Sequence, residues 1–403
     1  MKYDVVIVGG GAAGFFTAVN IAEKNYNLKI CILEKSTKVL SKVKISGGGR
    51  CNFTHACYIP KELSKFYPRG QKELLGPFHT FASGDTIEWF ESKGVDFYTT
   101  DDGSIFPKSD DSQTIIDTFL NLSKKYGIDI YTSQEVVDVK AGDNWTTRTK
   151  NKIFNSDKLI ITTGSSKDIW NILSGLGHDI IEPVPSLFTF KIKDKRIDGL
   201  MGVVVEKAAV SLKGSKLPEQ TGPLLITHWG MSGPAVLKMS SFGAREMFAK
   251  SYQNTAVVNW LPEHSFDSIS DAIADLREES PKKQVLKHNP FFLPTRLWKS
   301  LVSYCSISDK HNWADLNKKQ ILQLATELTQ GEYAVNGRTK FKEEFVTAGG
   351  VNLKEIDFKR FESKLHKNLF IAGEALDIDA VTGGFNFQNA WTGGWIISEA
   401  ITK

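Results

Sequence analysis

The sequence predicts an α/β fold: a parallel-sheet domain assembled from both ends of the chain, with a small β-barrel and a helical subdomain inserted between them. Three observations predict it. The first 34 residues read as strand, glycine turn, helix and strand, closing on an acid. A run of short strands broken by turn residues follows Pro183-Val184-Pro185, and the chain ends on a further strand, Gly373-Glu374 and a glycine-led helix. The expected boundaries are 1–187 with 346–403 for the parallel-sheet domain, 188–264 with 330–345 for the barrel, and 265–329 for the helices.

Lys2 to Val8 is a short apolar run rich in β-branched residues, the mark of a buried parallel strand. It enters Gly9-Gly10-Gly11-Ala12-Ala13-Gly14, and a helical pattern runs from about Ala13 to Lys24. A second apolar strand, Leu28 to Leu33, delivers Glu34. Each part suits a dinucleotide. Gly9 permits a tight turn, Gly11 the approach of backbone to a pyrophosphate, and Gly14 the close packing of helix on strand. The helix N-terminus adds unpaired N–H groups and a partial positive charge. Glu34, about twenty residues past Gly14, is placed to accept hydrogen bonds from an adenosine ribose. An ordinary βαβ crossover would leave Glu34 unexplained. The unit by itself does not separate NAD from FAD.

The 403 residues are 41% hydrophobic, ordinary for a globular chain of two or three domains. No stretch approaches the ~20 continuous apolar residues of a membrane span. The nucleotide unit begins three residues in, so no signal peptide is expected and the cytoplasm is the expected location. Cys31, Cys51, Cys57 and Cys305 show no Cys-x-x-Cys spacing, which disfavours a disulfide scaffold, a zinc site and a dithiol redox centre. A net charge of +4 is too mild to imply nucleic-acid binding alone. The basic stretch from Lys191 to Lys216 reads as a polyanion-facing segment or, the plainer reading, as a solvated barrel surface.

Ile45-Ser46-Gly47-Gly48-Gly49-Arg50-Cys51-Asn52 suits neither helix nor strand; its glycines let backbone lie flat against a ligand and Arg50 supplies charge. Gly70 to Gly127 reads as mostly helical, with amphipathic stretches at Thr86–Lys93 and Ser112–Tyr126. Strands are expected at Ile128–Tyr131, Glu135–Lys140, Thr146–Ile153 and Lys158–Thr162, the last turning at Thr163-Gly164. Past Pro185, strands at Phe188–Ile192, Gly202–Val210, Leu224–Thr227 and Ala256–Asn259, separated by turn residues, suggest a small β-barrel or sandwich. Thr227-His228-Trp229-Gly230-Met231-Ser232-Gly233-Pro234 lies within it and leads to a helix over Ala235–Ser241. Helices follow at Ser268–Glu278, Thr295–Ser303 and Leu316–Leu328, then strands near Tyr333–Asn336 and Phe341–Val346. Asn368 to Glu374 is a buried strand ending in Gly-Glu. Gly383-Gly384 then opens a helix through Ile401, whose N-terminus faces phosphate or carbonyl groups.

In the order and spacing of these blocks the chain resembles the BaiN/RdsA-like (YhiN-type) family of FAD-dependent oxidoreductases, in the two-dinucleotide-binding flavoprotein group. The carriers are GGGAAG at 9–14, ISGGGRCN at 45–52, THWGMSGP at 227–234, TAGGV at 347–351 and AGEALDIDAVTGGFNFQ at 372–388, with the Trp391-Thr392-Gly393-Gly394 helix. The resemblance implies a discontinuous, GR2-type Rossmann-like domain holding extended FAD. Gly11, Ala12 and Ala13 would line the pyrophosphate and Glu34 the adenosine ribose, while Val136 or Val137 would meet the adenine. Gly49, Arg50, Cys51 and Asn52 would lie along the flavin, Gly373-Glu374 at the ribityl–phosphate region, and Gly384, Phe385 and Asn386 at the pyrimidine edge. Gly9, Gly14, Lys35, Lys42, Thr163, Gly164 and Asp379 complete the implied contacts. The sequence departs from relatives at Thr163-Gly164-Ser165-Ser166, where they carry Gly-Gly, and at Gly103-Ser104-Ile105-Phe106-Pro107, which lacks their arginine.

No second strand–glycine–helix unit follows, so NAD(P)H, if it reduces the flavin, is expected to visit and leave. Hydride transfer between FAD and an organic substrate remains, with residues from about Pro185 to Phe345 expected to close over the flavin. His228 is the acid–base candidate, histidine being the residue type suited to proton transfer at working pH; holding the Gly230–Gly233 turn would explain it equally. Cys51 could protonate a carbon, or be a small residue fitted to a tight loop. Three functions stay open. The first, which the resemblance implies, is reduction of a conjugated C=C bond, in uridine of ribosomal RNA or in a small enone. The second is a flavin oxidase of small amines or aminoketones, and the third a non-enzymatic flavin-bound RNA-binding module. The first is the expectation, with a small-molecule or ribosomal RNA substrate, no metal, no membrane association and no stable protein partner.

Overall fold

The computed structural model describes residues 1–339 and 346–403, which fall into two compact units, Met1–Pro183 with Val346–Lys403, and Val184–Phe345. The first is built on the strand Lys2–Val8, whose Val5, Val6 and Ile7 are fully buried. Both faces of this strand are covered, which is why the run is continuously apolar rather than alternating. It pairs in parallel with Ile30–Leu33 on one side and with Ile153–Ile161 on the other, Val5 lying opposite Ile30 and Lys158. Asp129–Tyr131 and Leu369–Ile371 extend the parallel ladder outward. The last part of the chain thus returns to the sheet that the first part opened.

The first helix, Ala12–Lys24, packs on the terminal helix, Phe385–Thr402. Their approach is close, since a Cβ on Gly394 would stand 2.8 Å from Thr17 Oγ1. Phe16 meets Trp391 with ring centroids 5.2 Å apart, and Lys24 Nζ reaches Glu399 at 2.5 Å. Helices at Ser83–Ser92 and Gln113–Lys125 stand close to their expected places. Two expectations need correction. Within and beside the stretch read as mostly helical runs a three-stranded sheet of Thr54–His55, Phe97–Thr99 and Ser104–Pro107. Strands of two to four residues are too short to display alternation. The expected strand Thr146–Ile153 is interrupted instead: Trp145–Thr149 ends at a bend, and Ile153–Ile161 is one continuous strand.

The second unit is a closed barrel in the order Phe190–Ile192, Gly230–Ser232, Gln220–Thr227, Val204–Leu212, Gln253–Asn259 and Gly331–Arg338. Gly230–Ser232 was hidden in the Thr227–Pro234 block; it forms a tight hairpin in which Thr227 pairs with Gly230. Helices Phe266–Glu279, Thr295–Tyr304 and Lys318–Gln330 share the barrel's core, burying Ile269, Trp298 and Leu324 with Val258 and Val335. Asn317 caps the last of these by accepting from Gln320 N (2.9 Å). Inside this core Arg196 donates to Glu327 Oε2 (2.6 Å) and Asp194 Oδ2 (2.7 Å), its guanidinium 3.8 Å from the Tyr333 ring centre. The expected strand Phe341–Val346 lies, except for Val346, outside the described residues. Among the described residues no helix is long and apolar enough to cross a membrane.

Candidate cofactor site

The turn after the first strand separates two kinds of glycine. A Cβ on Gly9 (φ +112°) would fall 2.5 Å from Thr162 O, and one on Gly14 would fall 2.0 Å from Gly9 O. Those two are required by the chain's own packing, which Thr162 Oγ1 secures by donating to Gly9 O (3.1 Å). Gly11 is different: a Cβ there meets nothing within 4 Å, and it caps the first helix without any side-chain hydrogen bond. The helix N-terminus therefore opens onto a cradle whose floor is bare backbone. Its unpaired N–H groups and partial positive charge match a pyrophosphate.

Glu34 stands beside this turn. Its Oε2 accepts from Gly10 N (2.9 Å), and its Oε1 from Ser36 N (2.8 Å) and Ser36 Oγ (2.6 Å). Gly9, Glu34, Lys35, Val136 and Thr163 line one cleft. Of the two candidate valines, Val136 borders the cleft and Val137 does not. Gln134, Ser166 and Asp168 also line it and were not foreseen. Gln134 N donates to Glu34 O (2.8 Å), which fixes the loop over the cleft. Only tertiary pairing brings these residues together. The one local signal was Ser166 and Asp168 at the start of the Lys167–Gly175 helix, where polar caps and acids are common.

A second group forms where three distant segments meet. Lys42 Nζ lies 2.6 Å from Glu374 Oε2, and a Cβ on Gly164 would stand 3.6 Å from that oxygen and 3.9 Å from the ammonium. Gly373 abuts the first helix, its Cβ position 3.6 Å from Ala13 Cβ. Ala12 and Ala13 open that helix. In the glycine loop, Cβ positions on Gly48 and Gly49 meet nothing within 4 Å, so this backbone too lies open. Arg50 is exposed, stacks 4.3 Å over Phe106 and donates from Nε to Gly47 O (3.3 Å). The Asn52 amide lies within hydrogen-bond distance of Ile105 and Ser104 on the neighbouring strand.

Cys51 turns inward. It is fully buried, and burial pushes its thiol up to about 12. A thiol enclosed by the chain and held neutral has no open path to a substrate, so its placement is that of a small residue fitted to a tight loop. Asp379 and Asn386 are both engaged within the chain. Asp379 is buried in a two-pronged ion pair with Arg69. Asn386 Oδ1 accepts from Ala380 N (3.0 Å) and its Nδ2 donates to Ala380 O (3.2 Å), closing the turn ahead of the terminal helix. Both side chains hold the fold, and what the terminal helix offers a ligand is its backbone. Gly384 (φ +88°) caps that helix with no side-chain bond. Phe385 is stacked on Phe66 (4.2 Å) and on His55 (4.6 Å). His55 carries no motif beyond following the glycine block.

His228 belongs to the other unit. It is exposed at the tip of the hairpin, its ring centre 4.5 Å from that of Trp229. The turn is held by Thr227 instead, which accepts from Trp229 N (3.2 Å) and donates to Gly230 O (3.3 Å).

A family model described as the HI0933-like protein Rossmann domain matches residues 3–400. The chain is 26% identical to a 3-dehydro-bile acid delta(4,6)-reductase of Clostridium scindens, over 98% of each protein. It is 27% identical to a ribosomal RNA dihydrouridine synthase of Haemophilus influenzae, over 99% of this chain and 98% of that one. Among solved structures it is similar in fold to a 3-ketosteroid-delta4-(5alpha)-dehydrogenase of Rhodococcus jostii RHA1. That likeness has a TM-score of 0.56 at 13% identity, and covers 100% of this chain and 97% of that one.

Proposed function

Since the chain belongs to the HI0933-like Rossmann family of FAD-dependent oxidoreductases, we propose that it is a reductase. It takes hydride from NAD(P)H and delivers it to a conjugated C=C bond, in a pyrimidine of ribosomal RNA or in a small enone, and works in the cytoplasm. The observation that carries this reading is the bare backbone cradle at Gly11, beside the acid Glu34 and a cleft bordered by Val136. Bound FAD would supply a group that accepts a hydride and passes it on.

The residues then divide the work. The Gly9–Gly14 turn and the first helix hold pyrophosphate, Glu34 and Lys35 the adenosine ribose, and Val136 with Thr163 the adenine side of the cleft. Lys42, Gly164 and Glu374 fix the middle of the cofactor. The uncapped N-terminus at Gly384–Phe385 stabilises negative charge on whatever lies against it. His228, exposed at the tip of its hairpin, is the proton donor in this reading. A bile acid delta(4,6)-reductase and a dihydrouridine synthase, the two relatives aligned over their full length, each saturate a carbon–carbon double bond, which favours reduction over oxidation. The test is anaerobic: NADH or NADPH bleaches the flavin, and a uridine-containing ribosomal RNA fragment or a steroid enone restores its colour with one equivalent of product. A flavin bleached by small amines and reoxidised by dioxygen to give peroxide, with no response to NAD(P)H, overturns the reading.

A further inference from the structure

The second unit carries a groove of about 700 Å³ between its barrel and one of its helices. One wall is the start of the strand Val204–Leu212 and the other is the helix Phe266–Glu279; residues 260–264 and 290–294 join the lining. Trp260 and Leu293 are its buried floor and belong to the barrel's core. Val204, Leu261, Leu276, Phe291 and Phe292 keep apolar surface open to water. Phe292 is 93% exposed at φ +55°, a backbone state that bulky residues rarely take. Pro290 and Pro294 bracket it, and Asn289 Nδ2 donates to Leu293 O (2.5 Å), so the ring stands on backbone with little freedom to fold away. The rim is acidic. Glu206, Glu263, Asp275 and Glu279 line the groove against Lys207 and His264. Lys207 is paired with Glu263, which leaves Glu206, Asp275 and Glu279 with no ion pair among the described residues. The helix adds Asp267, Asp271 and Glu278 against Arg277 alone, in a chain whose net charge is +4.

We infer that this groove docks a partner protein through a basic amphipathic helix, whose apolar side chains meet Leu276, Phe291 and Phe292 while its lysines or arginines meet Glu206, Asp275 and Glu279. The inference is independent of the reductase reading. A ring held out in water gains nothing for the chain alone, and an apolar patch inside a polar rim is the anatomy of a protein–protein contact. The walls set the mode of binding. The strand is bulged between Val205 and Ala208, so it presents no regular edge to an added strand. A helix instead enters such a groove with side chains alone, anchored at i, i+3, i+4 and i+7. The charges set the partner's sign. A second copy docking two-fold through the same patch would bring like charges together. Nucleic acid and anionic lipid are repelled by the same carboxylates, and a neutral small molecule draws nothing from them.

The test uses the full-length FAD-loaded chain and a fluorescein-labelled peptide of leucines and lysines patterned as an amphipathic helix, with binding followed by anisotropy over a range of salt. The peptide has about 18 residues, enough to hold a helix in water. A second peptide carries glutamates in place of the lysines. The parent binds the lysine peptide, less tightly as salt rises, and does not bind the glutamate peptide. Phe292→Ala weakens binding about tenfold and keeps the salt dependence. Asp275→Lys with Glu279→Lys also weakens it about tenfold at low salt, and flattens the salt dependence. Asp143→Lys with Asp157→Lys, at exposed positions of the first unit, changes the net charge equally and leaves binding as it was. Every substituted residue is solvent-exposed, and melting curves verify that the variants fold. A parent that ignores the lysine peptide or binds both peptides alike overturns the site. So does a Phe292→Ala chain of parental affinity, or a first-unit variant that loses as much as the groove variant. Sedimentation showing a dimer that Phe292→Ala dissolves would make the occupant a second copy and overturn it too.

Discussion

Gly11 and Gly14 differ by what one methyl group would touch. Gly14→Ala drives a Cβ onto the backbone oxygen of Gly9 at 2.0 Å, so the helix must retreat from the strand. Overpacking of this kind costs about 3 kcal/mol, and the variant is expected to melt earlier even without FAD. Gly11→Ala places its methyl in open space. Its flavin-free form should melt within about 1 kcal/mol of the parent, the scale of a changed N-cap, while its visible flavin absorbance falls sharply because the cradle floor is now occupied. If Gly11→Ala retains its flavin in full, the cradle does not hold the pyrophosphate. At Cys51 the enclosed thiol, pushed up to about 12, should resist iodoacetamide at neutral pH in the folded chain and react on unfolding. The half-buried Cys57 should react first, as peptide mass mapping would show.

Between elements, the pairing of the first and terminal helices ends on Lys24 and Glu399. The Lys24 ammonium, with help from Lys403, holds the Glu399 carboxyl below the usual carboxylate range, while burial pulls Lys24 itself down. The opposing effects and partial exposure leave the pair a worth of about 0.5 kcal/mol. A depressed carboxylate contributes fully above its unfolded pKa, and that contribution is lost as pH falls through the folded value. Glu399→Gln should therefore unfold in less urea at neutral pH, and match the parent in acid below the folded pKa. A difference that persists there would assign the effect to packing. These helices were legible in the sequence because each is an apolar run of more than three turns that opens on a glycine turn after a buried strand. The Thr54–His55, Phe97–Thr99 and Ser104–Pro107 sheet was not, since its strands are set by pairing with one another rather than by pattern. The same holds for the cleft. Glu34 follows a strand at a fixed distance from the glycines, whereas Gln134, Ser166 and Asp168 reach it only through the fold.

At the scale of the molecule, each unit closes a core of its own, one around Val5, Val6 and Ile7, the other around the barrel and its three helices. The strands expected past Pro183-Val184-Pro185 begin close to the change between them, where strand spacing and turn residues change together. What the sequence could not disclose is the buried polar centre of the second core. Arg196 looked like one more surface cation in a basic stretch, yet it is enclosed among Asp194, Glu327 and the Tyr333 ring. Arg196→Ala leaves carboxylates there without their partner, at about 3–5 kcal/mol. For a unit of this size 3 kcal/mol corresponds to about 10 °C. FAD acts on the other unit, where a concentration about a hundredfold above its Kd adds about 2.7 kcal/mol. Calorimetry should accordingly resolve two transitions, of which Arg196→Ala lowers one and FAD raises the other. If the substitution and the cofactor shift the same transition, the two cores unfold as one cooperative unit and the FAD-linked stability is shared by the barrel.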